Sequence, residues 1–374
     1  MCCAEQNIYK KRNETLSKAV SPVDGPVAVT GASGYIGSWC VYDLMESGYN
    51  VRACVRDKNK PDKCDHLTAL NDDPTLRGSV ELFEGDLFKA GSYDDAFSDC
   101  SAVLHTGATV GYNSETPQEV YDGCFTEVQH VLESAAKSSA LKRFVFTSSF
   151  AAVGHPRPPG YVFTEKDWCG DNVEGYNGRW TEEMIPKNRD IAYAMAKAEA
   201  EKMLYAQAEE NGSFDAMAIL PLHVIGPLMC ANHDQGWSWQ NCMRFMAEGK
   251  AYKKSAGGRM LWNNVDVRDV ASAHRLAAET TIGCNGSRYI LSAADRSGEL
   301  FTWQLQAMMK AMFPQLAEVG GEEMNGDQPA KPTYDSPRSY CLLAMEELGL
   351  ETYPIEETVR ATIDSYFELG LLSA

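Results

Sequence analysis

A short apolar run that leads straight into three spaced glycines constrains this chain more than any other feature. Val27-Ala28-Val29-Thr30 precedes Gly31-Ala32-Ser33-Gly34-Tyr35-Ile36-Gly37, and a helical pattern continues over residues 35–46 until Gly48 ends it. A strand, a glycine loop and a helix in that order leave unpaired backbone N–H groups at the positive end of a helix. The first glycine permits the tight turn, the second lets the backbone approach a pyrophosphate, and the third lets helix and strand pack closely. Gly31, Ser33, Gly34, Tyr35, Ile36 and Gly37 are therefore expected to hold a dinucleotide.

The pattern after the loop repeats the same alternation. Strand-like runs at 51–55, 80–83, 102–105, 143–147 and 214–220 are separated by helical stretches that include 67–70, 117–138 and 191–210. Strands joined through helices imply right-handed crossovers and a parallel sheet covered on both faces. The expected fold class is thus α/β, a Rossmann-type doubly wound parallel sheet. Beyond Pro221 the alternation loosens: a strand at 265–267, a helix at 268–280 and a strand at 288–291 follow a stretch rich in Trp, Met, Gly and Asn. Helices at 301–312 and 355–369 flank an acidic Gly/Pro loop near 320–337. The predicted organisation is a flexible extension over 1–25 and a nucleotide-binding domain over 26–221 plus about 263–295. A smaller, discontinuous substrate-binding domain takes about 222–262 plus 296–374.

Charge narrows the partners. The net charge of −18 over 374 residues repels nucleic acid and anionic membranes at long range, so neither is an expected partner. An anionic cofactor then needs a local basic island, and one stands after the second strand. Arg56 falls at that strand's tip, with Lys58, Lys60 and Lys63 close behind. An arginine there pairs with the 2′-phosphate of NADP(H), whereas a carboxylate would select NAD(H). Arg56 is the principal expected phosphate ligand and Lys63 the second; Asp57 keeps NAD(H) open.

The twelve cysteines show no C-x-x-C pair and no zinc spacing, so buried reduced thiols such as Cys40, Cys54 and Cys230 in a cytoplasmic protein, without a metal, are expected. No run of roughly 18 apolar residues would cross a membrane. Met1-Cys2-Cys3 is not a myristoylation start, and the opening lacks the apolar core of a secretory signal.

Tyr193 and Lys197 form a Y-x-x-x-K pair within a helical pattern, so phenol and ammonium share one helix face. The ammonium would stabilise the phenolate and ease proton release. Phe144-Val145-Phe146-Thr147 is a buried strand ending in Ser148-Ser149, at the carboxyl edge where open parallel sheets bind ligands. Ser149 is placed to donate to a carbonyl oxygen. The candidate catalytic residues are Ser149, Tyr193 and Lys197. His155, His223 and His233 are further candidates for touching substrate.

Together these stretches resemble the extended short-chain dehydrogenases/reductases, the NAD-dependent epimerase/dehydratase superfamily. Within it the chain is most similar to the group of dihydroflavonol reductases, cinnamoyl-CoA reductases and aldehyde or carbonyl reductases. Gly85-Asp86-Leu87 and Pro221-Leu222-His223-Val224-Ile225-Gly226-Pro227 add to the likeness. The resemblance implies that Asp86 and Leu87 flank an adenine and that Thr106, Gly107 and Ala108 line the middle of the cofactor. It puts Pro221 and Val224 near a nicotinamide, lets Lys197 hold its ribose, and favours Ser149 over Ser148. It implies NADPH-dependent reduction of an aldehyde or ketone, with Trp237, Trp239, Met243 and Phe245 pointing to an apolar or aromatic small-molecule substrate. An epimerase, dehydratase or hydroxysteroid dehydrogenase could use the same triad, and Arg244, Lys250, Lys253, Lys254 and Arg259 would then serve a sugar nucleotide's diphosphate. A monomer and a homodimer both stay open.

Overall fold

The computed structural model describes residues 19–108, 114–154, 156–158, 160–172, 180–235, 238–249, 261–316 and 339–373. Seven strands form one parallel sheet: β1 (Val27–Thr30), β2 (Asn50–Val55), β3 (Ser79–Glu84), β4 (Ala102–His105), β5 (Arg143–Thr147), β6 (Asp215–Pro221) and, much later, β9 (Ser287–Leu291). Their order is β3-β2-β1-β4-β5-β6-β9, so the chain reverses direction across the sheet between β1 and β4. That reversal opens a crevice at the carboxyl ends, the place where doubly wound sheets bind ligands.

The inner strands β1, β4 and β5 are buried along their whole length because helices cover both faces, whereas the edge strand β3 exposes Ser79, Glu81 and Glu84. On one face Val27, Val29, Val51 and Ala53 pack with Cys40, Val41 and Leu44 of α1 (Tyr35–Glu46). After α1, the chain continues through α2 (Pro61–Thr68) and the single turn α3 (Asp94–Phe97). On the other face Ala28, Val103, Phe144 and Phe146 pack against α4 (Pro117–Ala135) and α5 (Arg189–Asn211). Thr116 and Glu119 form a reciprocal cap at the start of α4, and Asn188 caps α5.

The distal part forms a second, three-stranded sheet in the order β10-β8-β7, from β7 (His223–Ile225), β8 (Leu261–Asp266) and β10 (Glu299–Phe301). It packs with α6 (Trp239–Ala247), α8 (Thr302–Met312) and α10 (Ile355–Glu368) around Met243, Trp262, Leu305 and Val359. Helices α7 (Val267–Glu279) and α9 (Leu342–Leu348) lie instead against the large sheet, beside α1 and β9.

Several expectations need correction. The strand foreseen at 265–267 begins at Leu261, and Val267 is already helical. Asparagine is poor in strands, but Asn263 and Asn264 here bond to neighbouring backbone at Ser339, Ala293 and Gly298. This strand joins the small sheet, so the suggested boundary near 263 falls inside it. In the expected flexible extension, residues 19–25 are anchored at points: Val20 is buried, its N–H donates to Ala278 O, and Asp24 pairs with Lys142, while Val23 is exposed. Residues 1–18 and the acidic loop near 320–337 lie outside the described residues. Cys230 is half-buried, and no disulfide joins the ten cysteines described.

One stability prediction arises in α7. Burial, and then the neighbouring Asp266, push the Asp269 carboxyl up to about 8 from 3.8. Ionisation is harder folded than unfolded, so the group supports the fold below about pH 4 and loses that support as pH rises toward 8. Asp269→Asn keeps an acceptor for Tyr353 N–H. It should raise Tm at pH 8 by ~2 °C or more and match wild type near pH 4. A lower Tm at pH 8 in thermal unfolding would contradict this.

Candidate active site

Gly31 adopts φ +63°, and a Cβ there would sit 2.5 Å from Gly107 Cα. A Cβ on Gly37 would lie 2.3 Å from Gly31 O and 2.8 Å from Thr106 Oγ1. Glycine loop and β4 therefore touch through bare backbone. Thr106 Oγ1 donates to Thr30 O at 2.7 Å, Gly107 N–H donates to Thr30 Oγ1, and Thr30 Oγ1 meets His105 Nδ1 at 2.7 Å. Burial holds the His105 imidazole neutral, pushed down to about 3, with nearby Lys197 adding to the effect. Gly34, at the N-cap of α1, supplies no side-chain cap. The first N–H groups of the helix thus lack the side-chain acceptor that caps the starts of α4 and α5, as an anion site requires.

Not every loop residue faces that way with its side chain. The Tyr35 hydroxyl donates to Gly226 O at 2.8 Å and its ring lies 5.8 Å from His233, so only its backbone remains for a phosphate. Trp39 Nε1 donates to Pro227 O. These two bonds tie α1 to the segment after Pro221. Ser33 and Ile36 are half-buried on the loop, and Ala108 follows β4 exposed.

The basic island stands where the sequence puts it. Arg56 directly follows β2 and Lys63 lies on α2; both are exposed, and neither pairs with a described carboxylate. Arg52, by contrast, is committed to Asp99 at 2.5 Å and to Ala96 O. Asp86 and Leu87 follow β3, half-buried, with a Gly107 Cβ position 3.4 Å from Leu87 Cδ1.

At the end of β5 the two serines separate in role. Ser148 is buried and its hydroxyl donates to Glu201. Ser149 is half-buried, and its Oγ accepts from Ala151 N–H at 3.1 Å. That leaves its proton to donate, and no described residue takes it. On α5, Lys197 is buried and donates to Thr147 O at 3.2 Å, with its Nζ 5.9 Å from the Tyr193 ring centroid. Half-buried Tyr193 packs, as do Phe150 and Ala151 of the turn after Ser149, against the buried cluster that holds Ala152, Val153 and Ala194. Ser149, Tyr193 and Lys197 thus converge at the carboxyl end of β5. The glycine cradle lies at the end of β1, one strand beyond β4. A dinucleotide laid over the β1/β4 crevice fits these groups.

Other candidates fare differently. Pro221 ends β6, and Val224 is buried with Val265 and Val267 in the core. His223 accepts from Asn263 N–H and stands edge-on to Trp239 at 4.4 Å; burial lowers it to about 4, so it is neutral. Met243 is core, and Arg244 is committed to Asp234 and Glu248, which removes it from a diphosphate site. Phe245 stacks with Arg244. His155, Trp237, Lys250, Lys253, Lys254 and Arg259 lie outside the described residues.

Sequence reasoning missed a cluster of His66, Cys230 and His233, whose ligand-type atoms lie within 4.8 Å of one another. His233 is neutral, lowered to about 3 by burial, and its Nδ1 accepts from Met229 N–H. The proton is therefore on Nε2, which faces Ser38 Oγ at 3.3 Å, and His66 Nε2 meets the same oxygen at 2.8 Å. This is hydrogen-bonding geometry around Ser38; a metal would need the lone pair that the proton occupies. Also missed was Glu201, although it follows Lys197 by four residues on the same face.

Residues 27–289 match the NAD dependent epimerase/dehydratase family. A cinnamoyl-CoA reductase of Medicago truncatula is 31% identical over 91% of this chain and 95% of its own length. A dihydroflavonol 4-reductase of Arabidopsis thaliana is 37% identical over 54% of this chain and 50% of its own. Among solved structures, a yeast methylglyoxal/isovaleraldehyde reductase complexed with NADPH superposes with TM-score 0.72 at 24% identity, covering 93% of this chain and all of that one. With its seven-stranded Rossmann-type sheet and its family match over most of its length, the chain belongs to the NAD dependent epimerase/dehydratase family, the extended short-chain dehydrogenases/reductases.

Proposed function

We propose that the chain is an NADPH-dependent reductase of aldehyde or ketone carbonyls. The observation that carries this reading is the convergence of Ser149, Tyr193 and Lys197 on the end of β5, beside a glycine cradle and an exposed Arg56 that pairs with no described carboxylate. Bound NADPH would supply the hydride; the cradle would hold its pyrophosphate, and Arg56 with Lys63 its 2′-phosphate. Lys197, with two N–H groups beyond the one given to Thr147 O, would hold the nicotinamide ribose. Ala151 N–H withdraws electron density from Ser149 Oγ, sharpening it as a donor to the substrate oxygen. Tyr193 supplies the proton as charge builds on that oxygen, and the Lys197 ammonium steadies the phenolate left behind.

The substrate's apolar part is assigned to the side of His223 and Trp239. The large sheet with its helices forms the nucleotide-binding unit, and the small sheet with α6, α8 and α10 the substrate-binding unit. No helix among the described residues is long and apolar enough to cross a membrane; the cytoplasm is the proposed location. A panel of aldehydes and ketones, read by NADPH oxidation at 340 nm, tests the activity. Turnover with none of them, or a tightly bound NAD in the purified protein, would overturn it.

Arg56 carries a separate prediction. Arg56→Ser should weaken NADPH binding by roughly tenfold to a hundredfold, about 1.5–3 kcal/mol for a charged hydrogen bond, and leave NADH binding nearly unchanged. Equal loss for both cofactors in titrations would place the 2′-phosphate elsewhere.

A further inference from the structure

Tyr193, Lys197 and Glu201 are spaced four apart on α5, which puts the carboxylate one turn beyond the ammonium on the same face. Glu201 is 0% exposed and its carboxylate is fully engaged. One oxygen accepts from Ser148 Oγ; the other accepts from Arg288 Nε at 2.7 Å and from the Tyr205 hydroxyl at 3.3 Å. Arg288, buried on β9, stacks 3.6 Å over the Trp168 ring and donates from Nη1 to Glu165 O at 2.8 Å and Asp167 O at 2.7 Å. The same segment returns to the serine turn, where Cys169 N–H donates to Ala152 O at 2.8 Å. The result is a closed ring running from the Ser149 turn through 165–169, Arg288 and Glu201 to Ser148, the neighbour of Ser149.

As a source of stability this ion pair is a weak device, because stripping water from two charges largely cancels their attraction. Its geometric effect is specific. Ser148 N–H already donates to Ile219 O on β6 at 2.8 Å. With its backbone held by β6 and its hydroxyl held by α5, Ser148 cannot rotate, and the next peptide must present Ser149 in one orientation. We propose that Glu201, anchored by Arg288, is a positioning residue for Ser149, acting through Ser148. The inference rests on the reductase reading of Ser149.

The test uses the full chain and three variants: Ser148→Ala, Glu201→Gln and Tyr205→Phe. Ser148→Ala leaves the ion pair intact, so it remains informative should Glu201→Gln fold poorly. Two readouts are taken. Hydrogen exchange at 148–154 monitors the turn, where Ala152, Val153 and Gly154 N–H groups close onto Ser149 and Phe150. Steady-state kinetics with NADPH monitors the chemistry. Ser148→Ala and Glu201→Gln should each speed exchange in that turn and lower kcat by ~10-fold, with NADPH affinity unchanged. Their double variant should be no worse than the poorer single. Tyr205→Phe, which touches the carboxylate away from the strand, should alter neither readout. Unchanged exchange and kcat in Ser148→Ala, or effects that simply multiply in the double variant, would overturn the positioning role. A wild-type protein that reduces no carbonyl while exchange still responds would sink the reductase reading alone.

Discussion

Replacing Tyr193 by phenylalanine is expected to lower kcat for carbonyl reduction by about 10³-fold, within the range that a positioned acid contributes. The ring packs against the buried cluster that holds Ala152, Val153 and Ala194, and the Lys197 ammonium sits 5.9 Å from its centroid, contacts that a phenylalanine ring preserves. What is lost is the phenolic proton. NADPH affinity, measured by fluorescence titration, should stay within about threefold, since the cradle lies on β1 and β4. Tm should be close to wild type. Comparable turnover in the variant would move the acid elsewhere; a large loss of cofactor affinity would mean that the phenol mainly binds.

Gly31→Ala should have the other large effect, on cofactor binding and on the fold together. Two independent problems meet at this position. The backbone is left-handed at φ +63°, which an L side chain adopts at a penalty of roughly 1–2 kcal/mol. The new Cβ would also lie 2.5 Å from Gly107 Cα and 2.8 Å from Gly107 N, and backbone cannot swing aside as a side chain can. The loop must lift off β4, which breaks the Thr30–Gly107 contact and pulls the first turn of α1 out of line. NADPH binding should fall below detection, and Tm should drop by ~5 °C or more. Gly34→Ala makes the contrast. At φ −84° its nearest atom is Gly31 O at 3.1 Å, so the fold should survive. Equal behaviour of the two variants would contradict this account of the loop.

Much of the large sheet was legible because its inner strands are buried on both sides and so read as unbroken apolar runs. β1, β4 and β5 fall at the residues where the runs do, and α1 spans the helical pattern between the glycine loop and Gly48. The distal part was harder for a physical reason. Leu261-Trp262-Asn263-Asn264 has the composition of a loop and becomes a strand only because its asparagines satisfy backbone groups far along the chain. Helix α6 opens with Ser238 capping Asn241 N–H and carries Trp, Asn, Cys and Phe, a weak local helix signal that packing against Tyr366 and its neighbours overrides.

The site shows the same division. Glycine spacing and a Tyr/Lys pair four apart are local, so they stand out in one dimension. The distinction between Ser148 and Ser149 is not local, since Glu201 and Arg288 make it from 53 and 140 residues away. For Tyr35 the sequence shows its place in the loop, but not that its hydroxyl is spent on Gly226 O and leaves only its backbone to face a phosphate.

A carbonyl reductase of this kind is defined by where the reducing equivalent goes. NADPH carrying deuterium at the transferable C4 position, incubated with the protein and an aldehyde or ketone that it reduces, should give an alcohol deuterated at the former carbonyl carbon. Exchanging the solvent for deuterated water should label only the hydroxyl. Alcohol formed without cofactor deuterium at that carbon, or no alcohol from any carbonyl compound offered, would contradict the reductase reading.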